Sequence, residues 1–269
     1  MVQPRSTSRL QVYLAAFSVI GVAGGTLMAM SPAAVTAVAQ PAANTLTAEE
    51  KAAGWRLLFD GTTTKGWRNA HGDTFPDKGW VVKDGVLTVL ESGGGEAANG
   101  GDIVTLDEYG DFELQLDVKL TKGANSGIKY FVTEKLGTPG RGSAIGLEFQ
   151  LLDDAEHPDA KMGRDGNRTF GSLYDLIAAP AQKPVKPVGE WNTVRVVSKG
   201  TKVEHWLNGT KLLEFDRASE AFKKLVASSK YKDFDGFGQA KSGHLLLQDH
   251  GNTVYFRNVK VKGAALPNT

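Results

Sequence analysis

The sequence predicts an all-β fold: an antiparallel two-sheet jelly-roll sandwich with one or two short helices. Three observations carry the prediction. Apolar side chains recur with a period of two, most regularly at Phe112, Leu114, Leu116, Val118 and Leu120. Turn signals return roughly every 8–12 residues, the spacing of sandwiches and barrels. No stretch alternates a strand with a helix of roughly 10–15 residues, which argues against a parallel α/β sheet.

The N-terminus comes first. Arg5 and Arg9 precede an apolar run from Val12 to Met30, small residues follow, and the first acid is Glu49. That is the order of a secretory signal. Ala37-Val38-Ala39 places cleavage before Gln40 and implies an exported, periplasmic or secreted bacterial protein. The alternative is an uncleaved anchor, because the run approaches the roughly 20 residues that span a membrane. Its glycines and alanine-rich exit favour cleavage, which leaves no stable membrane anchor.

Residues 40–46 read as a linker. Thr47-Ala-Glu-Glu50 is a capping box and Gly54 a stop, giving one short helix within 40–53. Residues 54–263 form the sandwich and 264–269 a tail. Trp55–Phe59 is a short strand. Gly79–Leu90 is a hairpin about Asp84-Gly85, a pair suited to a type I′ turn. Phe112–Leu120, Gly127–Thr133 and Ala144–Leu152 are further strands. Trp191–Ser198 precedes a hairpin of Lys202–Leu207 and Lys211–Phe215 about Asn208-Gly209. Ser219–Ala227 has the second helical pattern. Gly243–Gln248 and Thr253–Val261 close the domain.

Composition narrows the function. With no cysteine among 269 residues, disulfides, thiolate nucleophiles and iron–sulfur clusters are excluded. A formal net charge of +1 gives no general attraction to nucleic acid. HExxH, Walker A, GxSxG and a Rossmann glycine motif are all absent. Ser92–Gly101 is glycine-rich but lacks the helix and lysine of a phosphate cradle, so it reads as a mobile rim loop.

Several phrases then coincide with one family. They are Leu57-Leu58-Phe59-Asp60-Gly61 with Gly66-Trp67, Asp111-Phe112-Glu113-Leu114, and Asn125-Ser126-Gly127-Ile128. Gly146-Leu147-Glu148-Phe149-Gln150 with Asp153 follows, then Gly171-Ser172-Leu173-Tyr174, Gly189-Glu190-Trp191-Asn192 and Leu207-Asn208-Gly209. The last are Leu247-Gln248-Asp249-His250-Gly251 and Phe256-Arg257-Asn258-Val259. In this order they resemble the 3-keto-disaccharide hydrolase family over roughly residues 54–263. The resemblance implies a concanavalin A-like lectin/glucanase sandwich, a small-molecule carbohydrate partner, and action on glycosides oxidised at C3. One departure is Lys129, where the family often has an arginine; a planar fork becomes a point charge.

A C3 ketone makes the C2 proton acidic. Its removal leaves an enolate, and the C1 aglycone departs by β-elimination before water adds back. This needs a base, an oxyanion stabiliser and a proton donor. Strand alternation places Glu148, Gln150 and Leu152 opposite Leu147, Phe149 and Leu151, on an open sheet face. It groups His244, Leu246, Gln248 and His250 on one side, and Lys129 with Phe131 on another. Glu148 is the first catalytic candidate, His250 a base at neutral pH, and Lys129 a holder for the enolate oxygen. Asn125, Gln150, Asp153, His157, Tyr174, Gln248 and Arg257 are the substrate-binding candidates. Trp191 and Trp206 are either sugar platforms or core residues. His71 and His205 carry no motif.

No cofactor is required by the sequence. The polar loop Asp153–Asn167 is rich enough in oxygen ligands for calcium, though a solvated rim loop is the simpler reading. Two other functions stay open. Glu148-x-Gln150-x-x-Asp153 echoes retaining glucanases, but needs a β-bulge to align both acids. The same sandwich also serves as a non-catalytic carbohydrate-binding module.

Overall fold

A computed structural model describes residues 42–93, 95–133 and 142–266. The expected signal at 1–39 lies outside the described residues. No helix among the described residues is long and apolar enough to cross a membrane.

Among the described residues thirteen strands form two antiparallel sheets, as expected from the alternation. Helix α1 (Ala48–Ala52) carries the capping box from Thr47 to Glu50. Strands β1 (Trp55–Leu57), β3 (Trp80–Lys83), β4 (Val86–Val89), β6 (Phe112–Leu120), β9 (Asn192–Lys199), β10 (Lys202–Leu207), β11 (Thr210–Asp216) and β13 (Val254–Lys262) make the larger sheet. Strands β2 (Trp67–Asn69), β5 (Ile103–Tyr109), β7 (Asn125–Val132), β8 (Leu147–Leu152) and β12 (Gly243–Leu247) make the smaller, in the order β2-β5-β12-β7-β8. Helix α2 (Glu220–Ala227) stacks Phe222 on Phe215, ring centroids 5.7 Å apart.

Period-two burial fixes the register of the larger sheet. The even-numbered apolar positions of β6 are buried and the odd-numbered polar ones are half-buried. A one-residue slip would expose the whole set. Both hairpins turn through the left-handed region, at Asp84 and Gly85 (φ 51° and 74°) and at Asn208 and Gly209 (φ 47° and 82°). That is the geometry of a type I′ turn.

Three expectations are corrected. Strands β2 and β5 were not anticipated. The run Ile103-Val104-Thr105 is buried on both faces and shows no alternation. The face of β8 is not open, because every residue of β7 and β8 is buried. Third, Phe131 does not share a face with Lys129. Phe131 adopts φ 55°, and the three steps from Lys129 to Val132 oppose the two from Leu246 to His244. This bulge turns Tyr130 and Phe131 into the inter-sheet core and sends Val132 to a second cluster with Ala70, Val104, Ala144 and Leu246.

The expected linker is bound to the sandwich. Asn44 N–H donates to Asn258 Oδ1 at 2.6 Å, and Asn258 N–H donates to Asn44 Oδ1 at 2.8 Å. Asn44 Nδ2 also donates to the Gly85 carbonyl at 2.8 Å.

Candidate active site

Strands β7 and β8 pair without a register shift, and this sets Lys129 directly opposite Glu148. Both side chains are about as buried as core residues, at 5% exposure each. Lys129 Nζ lies 4.0 Å from Glu148 Oε2 and 3.7 Å from Glu96 Oε1. It also donates to Ser143 Oγ and, at 3.1 Å, to the Ala144 carbonyl. Ser143 in turn donates to Asp102. One ammonium thus faces three carboxylates in a largely dry setting.

Burial pushes the Glu148 carboxyl up to about 7, against the pull of Lys129. Burial likewise raises Asp102, against Lys129 and Ser143. Burial also acts to raise Glu96, but Lys129, His250 and Lys230 outweigh it and hold Glu96 below the usual range. Lys129 is desolvated too, yet Glu148, Asp102 and Glu96 raise it and keep it charged. Two carboxyls on one lysine are therefore driven in opposite directions, a pattern suited to acid–base work.

Glu96 arrives on the glycine-rich segment that reads as a mobile loop. Its neighbours are fastened down: Asp249 Oδ2 accepts N–H bonds from Asn99, Gly100 and Gly101 at 3.3, 3.1 and 3.1 Å. Gln248 Nε2 donates to Glu96 Oε1 at 2.6 Å. Buried Gln248 Oε1 and Asn125 Oδ1 have no partner, an unusual state for buried acceptors. Asn125 Nδ2 lies 3.2 Å from His250 Nε2, and the His157 ring meets that of His250 edge-on at 6.0 Å. Burial, and then His250, lowers the His157 pKa.

Tyr174 belongs to the same wall. Its hydroxyl donates to Asp159 Oδ2 at 2.9 Å, and Arg168 bonds both Asp159 and Asp175 at 2.9 and 2.7 Å. Lys230 lies over the Tyr174 ring, with Nζ 4.3 Å from its centroid. The residue as a whole is exposed, but its ammonium end is desolvated, which lowers its pKa against the opposing pull of Glu148. Glu96, Asp102, Ser143 and Lys230 escaped the sequence reading. All sit in loops or at strand ends, where periodicity carries no information.

Other expected residues fall elsewhere. Gln150 is 1% exposed, and its Oε1 accepts from Leu151 N–H at 3.1 Å. Asp153 caps a turn, accepting from Gly123 N–H at 2.8 Å and Ala155 N–H at 3.1 Å. Arg257 lies in the other sheet, paired with Asp117 at 3.2 Å and stacked on Trp191 at 4.2 Å. Trp191 and Trp206 are half-buried partners of Lys119, Arg195, Arg257 and Lys211, and neither reaches Glu148. His205 is a core residue, bonded to Tyr130 Oη at 2.8 Å and the Gly171 carbonyl at 3.0 Å. His71 contacts the Gly142 carbonyl at 2.9 Å.

The loop considered for calcium is cross-linked by protein cations. Lys183 pairs with Asp154 at 2.8 Å, and Arg168 holds Asp159 and Asp175. Among the described residues no group of three His, Asp or Glu side chains is disposed around an ion. The glucanase pattern is not met in this strand. No bulge interrupts β8 against β7, and Asp153 is committed to its turn.

Comparison with known proteins places the chain in a family. The profile of the 3-keto-α-glucoside-1,2-lyase-like domain matches residues 54–262. A 3-keto-disaccharide hydrolase of Bacteroides thetaiotaomicron is 38% identical, over 78% of each chain. A crystal structure from Parabacteroides distasonis, provisionally named a glycosyl hydrolase, is 37% identical. It superimposes with a TM-score of 0.72 over 83% of this chain and 100% of that one. A second structure from that organism, with the same provisional name, is 26% identical with a TM-score of 0.58, over 78% and 99%. The chain therefore belongs to the 3-keto-disaccharide hydrolase family, carbohydrate-acting hydrolases on a two-sheet jelly roll.

Proposed function

We propose that the chain is exported and cleaves 3-keto-glycosides by C2 proton abstraction, β-elimination and hydration. The observation that carries this is the buried Glu148 carboxyl, poised at about 7 beside Lys129. A base works best when its pKa lies near the operating pH.

Glu148 takes the C2 proton. The C–H electron pair forms the C2=C3 bond of the enolate, and charge collects on the C3 oxygen. The carbonyl then re-forms, C1=C2 forms, and the C1–O bond breaks toward the aglycone. His250 supplies the proton the leaving oxygen needs. Water adds at C1 and a proton returns to C2, which gives the free 3-keto sugar. Lys129 suits the enolate less well than expected. Its ammonium already donates to Ser143 and Ala144 and faces two carboxylates. It keeps Glu148 ionisable, and Lys230 supplies the cation for the enolate oxygen. Asn125 Oδ1 and Gln248 Oε1 are free acceptors for sugar hydroxyls.

Turnover in D2O tests the route. Elimination followed by hydration places deuterium at C2 of the released 3-keto sugar, whereas direct displacement at C1 leaves C2 protonated. The expected result is aglycone release from 3-keto substrates with C2 deuteration, and little release from the unoxidised parents. Glu148→Gln should lower kcat by about 100- to 10,000-fold. Binding without turnover on a panel of 3-keto-glycosides would instead make the protein a carbohydrate-binding module.

A further inference from the structure

The Glu148 carboxyl does not stand straight up from β8. It leans along the sheet over Gly127, which pairs with Gln150 on the neighbouring strand. A Cβ placed on Gly127 would come within 2.9 Å of Glu148 Cδ and 3.0 Å of Cγ, and closer still to Oε1. Real Cβ atoms do not approach side-chain carbons that closely. Gly127 lies in regular strand and is not among the residues with positive φ, so backbone conformation does not demand glycine. Glycine inside a strand weakens it unless something needs the space. Here the occupant of the space is the carboxyl itself.

We infer that Gly127 is a positioning residue: its missing side chain is the seat that holds the Glu148 carboxyl against the sheet, beside Lys129. The inference rests on the reading of Glu148 as the base. The three atoms nearest a methyl group at 127 all belong to the flexible Glu148 side chain, from Cγ outward. The strand can therefore keep its hydrogen bonds while the carboxyl moves. A carboxyl displaced from Gly127 moves either toward Lys129 or toward solvent. Both lower the proton affinity of Glu148, the first by added attraction and the second by relief of burial.

The experiment compares the parent, Gly127→Ala and Glu148→Gln on a 3-keto-glycoside, after circular dichroism has confirmed folding. Gly127→Ala should lose about 100-fold in kcat, the cost of a misplaced reacting group. KM should stay within roughly threefold, and the acid limb of the pH profile should move below that of the parent. A Gly127→Ala enzyme with parental kcat and an unmoved limb, alongside an inactive Glu148→Gln, overturns the inference. If Glu148→Gln keeps its turnover, the base reading fails instead. Carboxyl 13C NMR of Glu148 in Gly127→Ala then decides the seat alone: a displaced titration upholds it and an unchanged one overturns it. If Gly127→Ala is too unstable to assay, its loss of Tm is measured in a Glu148→Ala background. A smaller loss there upholds the seat, and an equal loss overturns it.

Discussion

Lys129 and Glu148 face each other as register partners across two buried strands, ammonium to carboxylate at 4.0 Å. Either charge alone would be costly there. Removing one partner of a buried pair typically costs about 3–5 kcal/mol, because the other charge is stranded. Lys129→Met should therefore lower Tm and push the Glu148 proton affinity higher. The acid limb of kcat should move upward, so that activity at pH 7 falls much more than activity at pH 9. Parallel pH–rate curves for the two enzymes would refute this.

Stability should depend on pH through two buried groups with opposite signs. Burial raises Glu148 from 4.5 to about 7, so the folded state binds its proton more tightly than the unfolded state. Its contribution is fully present below about pH 4.5 and is lost as pH rises through 7, a change on the order of 3 kcal/mol. Burial lowers His205 from 6.5 to about 4, so its contribution is present above 6.5 and is lost as pH falls toward 4. In the shared window the two slopes oppose each other. Glu148→Gln removes one of them. Its stability relative to the parent should rise with pH between 4.5 and 7, as read by denaturant unfolding across that range.

Asn258 combines a left-handed backbone, φ 54°, with bonds to Asn44 and, at 2.7 Å, to Asp117. Asn258→Gly keeps the backbone free to turn but drops the side-chain bonds. Asn258→Ala loses both, and left-handed alanine adds about 1–2 kcal/mol. Unfolding midpoints should rank parent above glycine above alanine. Alanine equal to glycine would mean that the irregularity in β13 carries no strain.

The proposed export segment gives a prediction of its own. Mass spectrometry of protein recovered from an exporting host should find a chain beginning at Gln40. Full-length protein in the membrane fraction would favour the retained anchor instead.

Some of the molecule was legible in the sequence because periodicity is a local signal. The alternation of Phe112–Leu120 predicted a strand and its two faces. Asp84-Gly85 and Asn208-Gly209 gave two hairpins through conformations that few other pairs tolerate. The opposed faces of β8 correctly separated Glu148 from Phe149. What stayed hidden depends on distant parts of the chain. The start of strand β5, Ile103 to Thr105, is buried from both sides, which erases its alternation. The bulge at Phe131 inverts a face, and no sequence rule places it. Glu96 and Lys230 meet Glu148 from loops on either side of it in the chain. The depth of Glu148 was missed for the same reason: the segments that cover it lie far from it in sequence.

If the chain is exported as proposed, the reciprocal bonds between Asn44 and Asn258 bear on the order of events. Only residues 40–43 separate the expected cleavage point from a segment bonded to the last strand. Four residues reach at most about 14 Å. A peptidase must draw an extended stretch into its groove, and that stretch includes residues after the cut. A precursor whose last strand has already docked has little slack to offer. Processing should therefore precede closure of the sandwich, and a precursor that folds too early would withhold its own cleavage site.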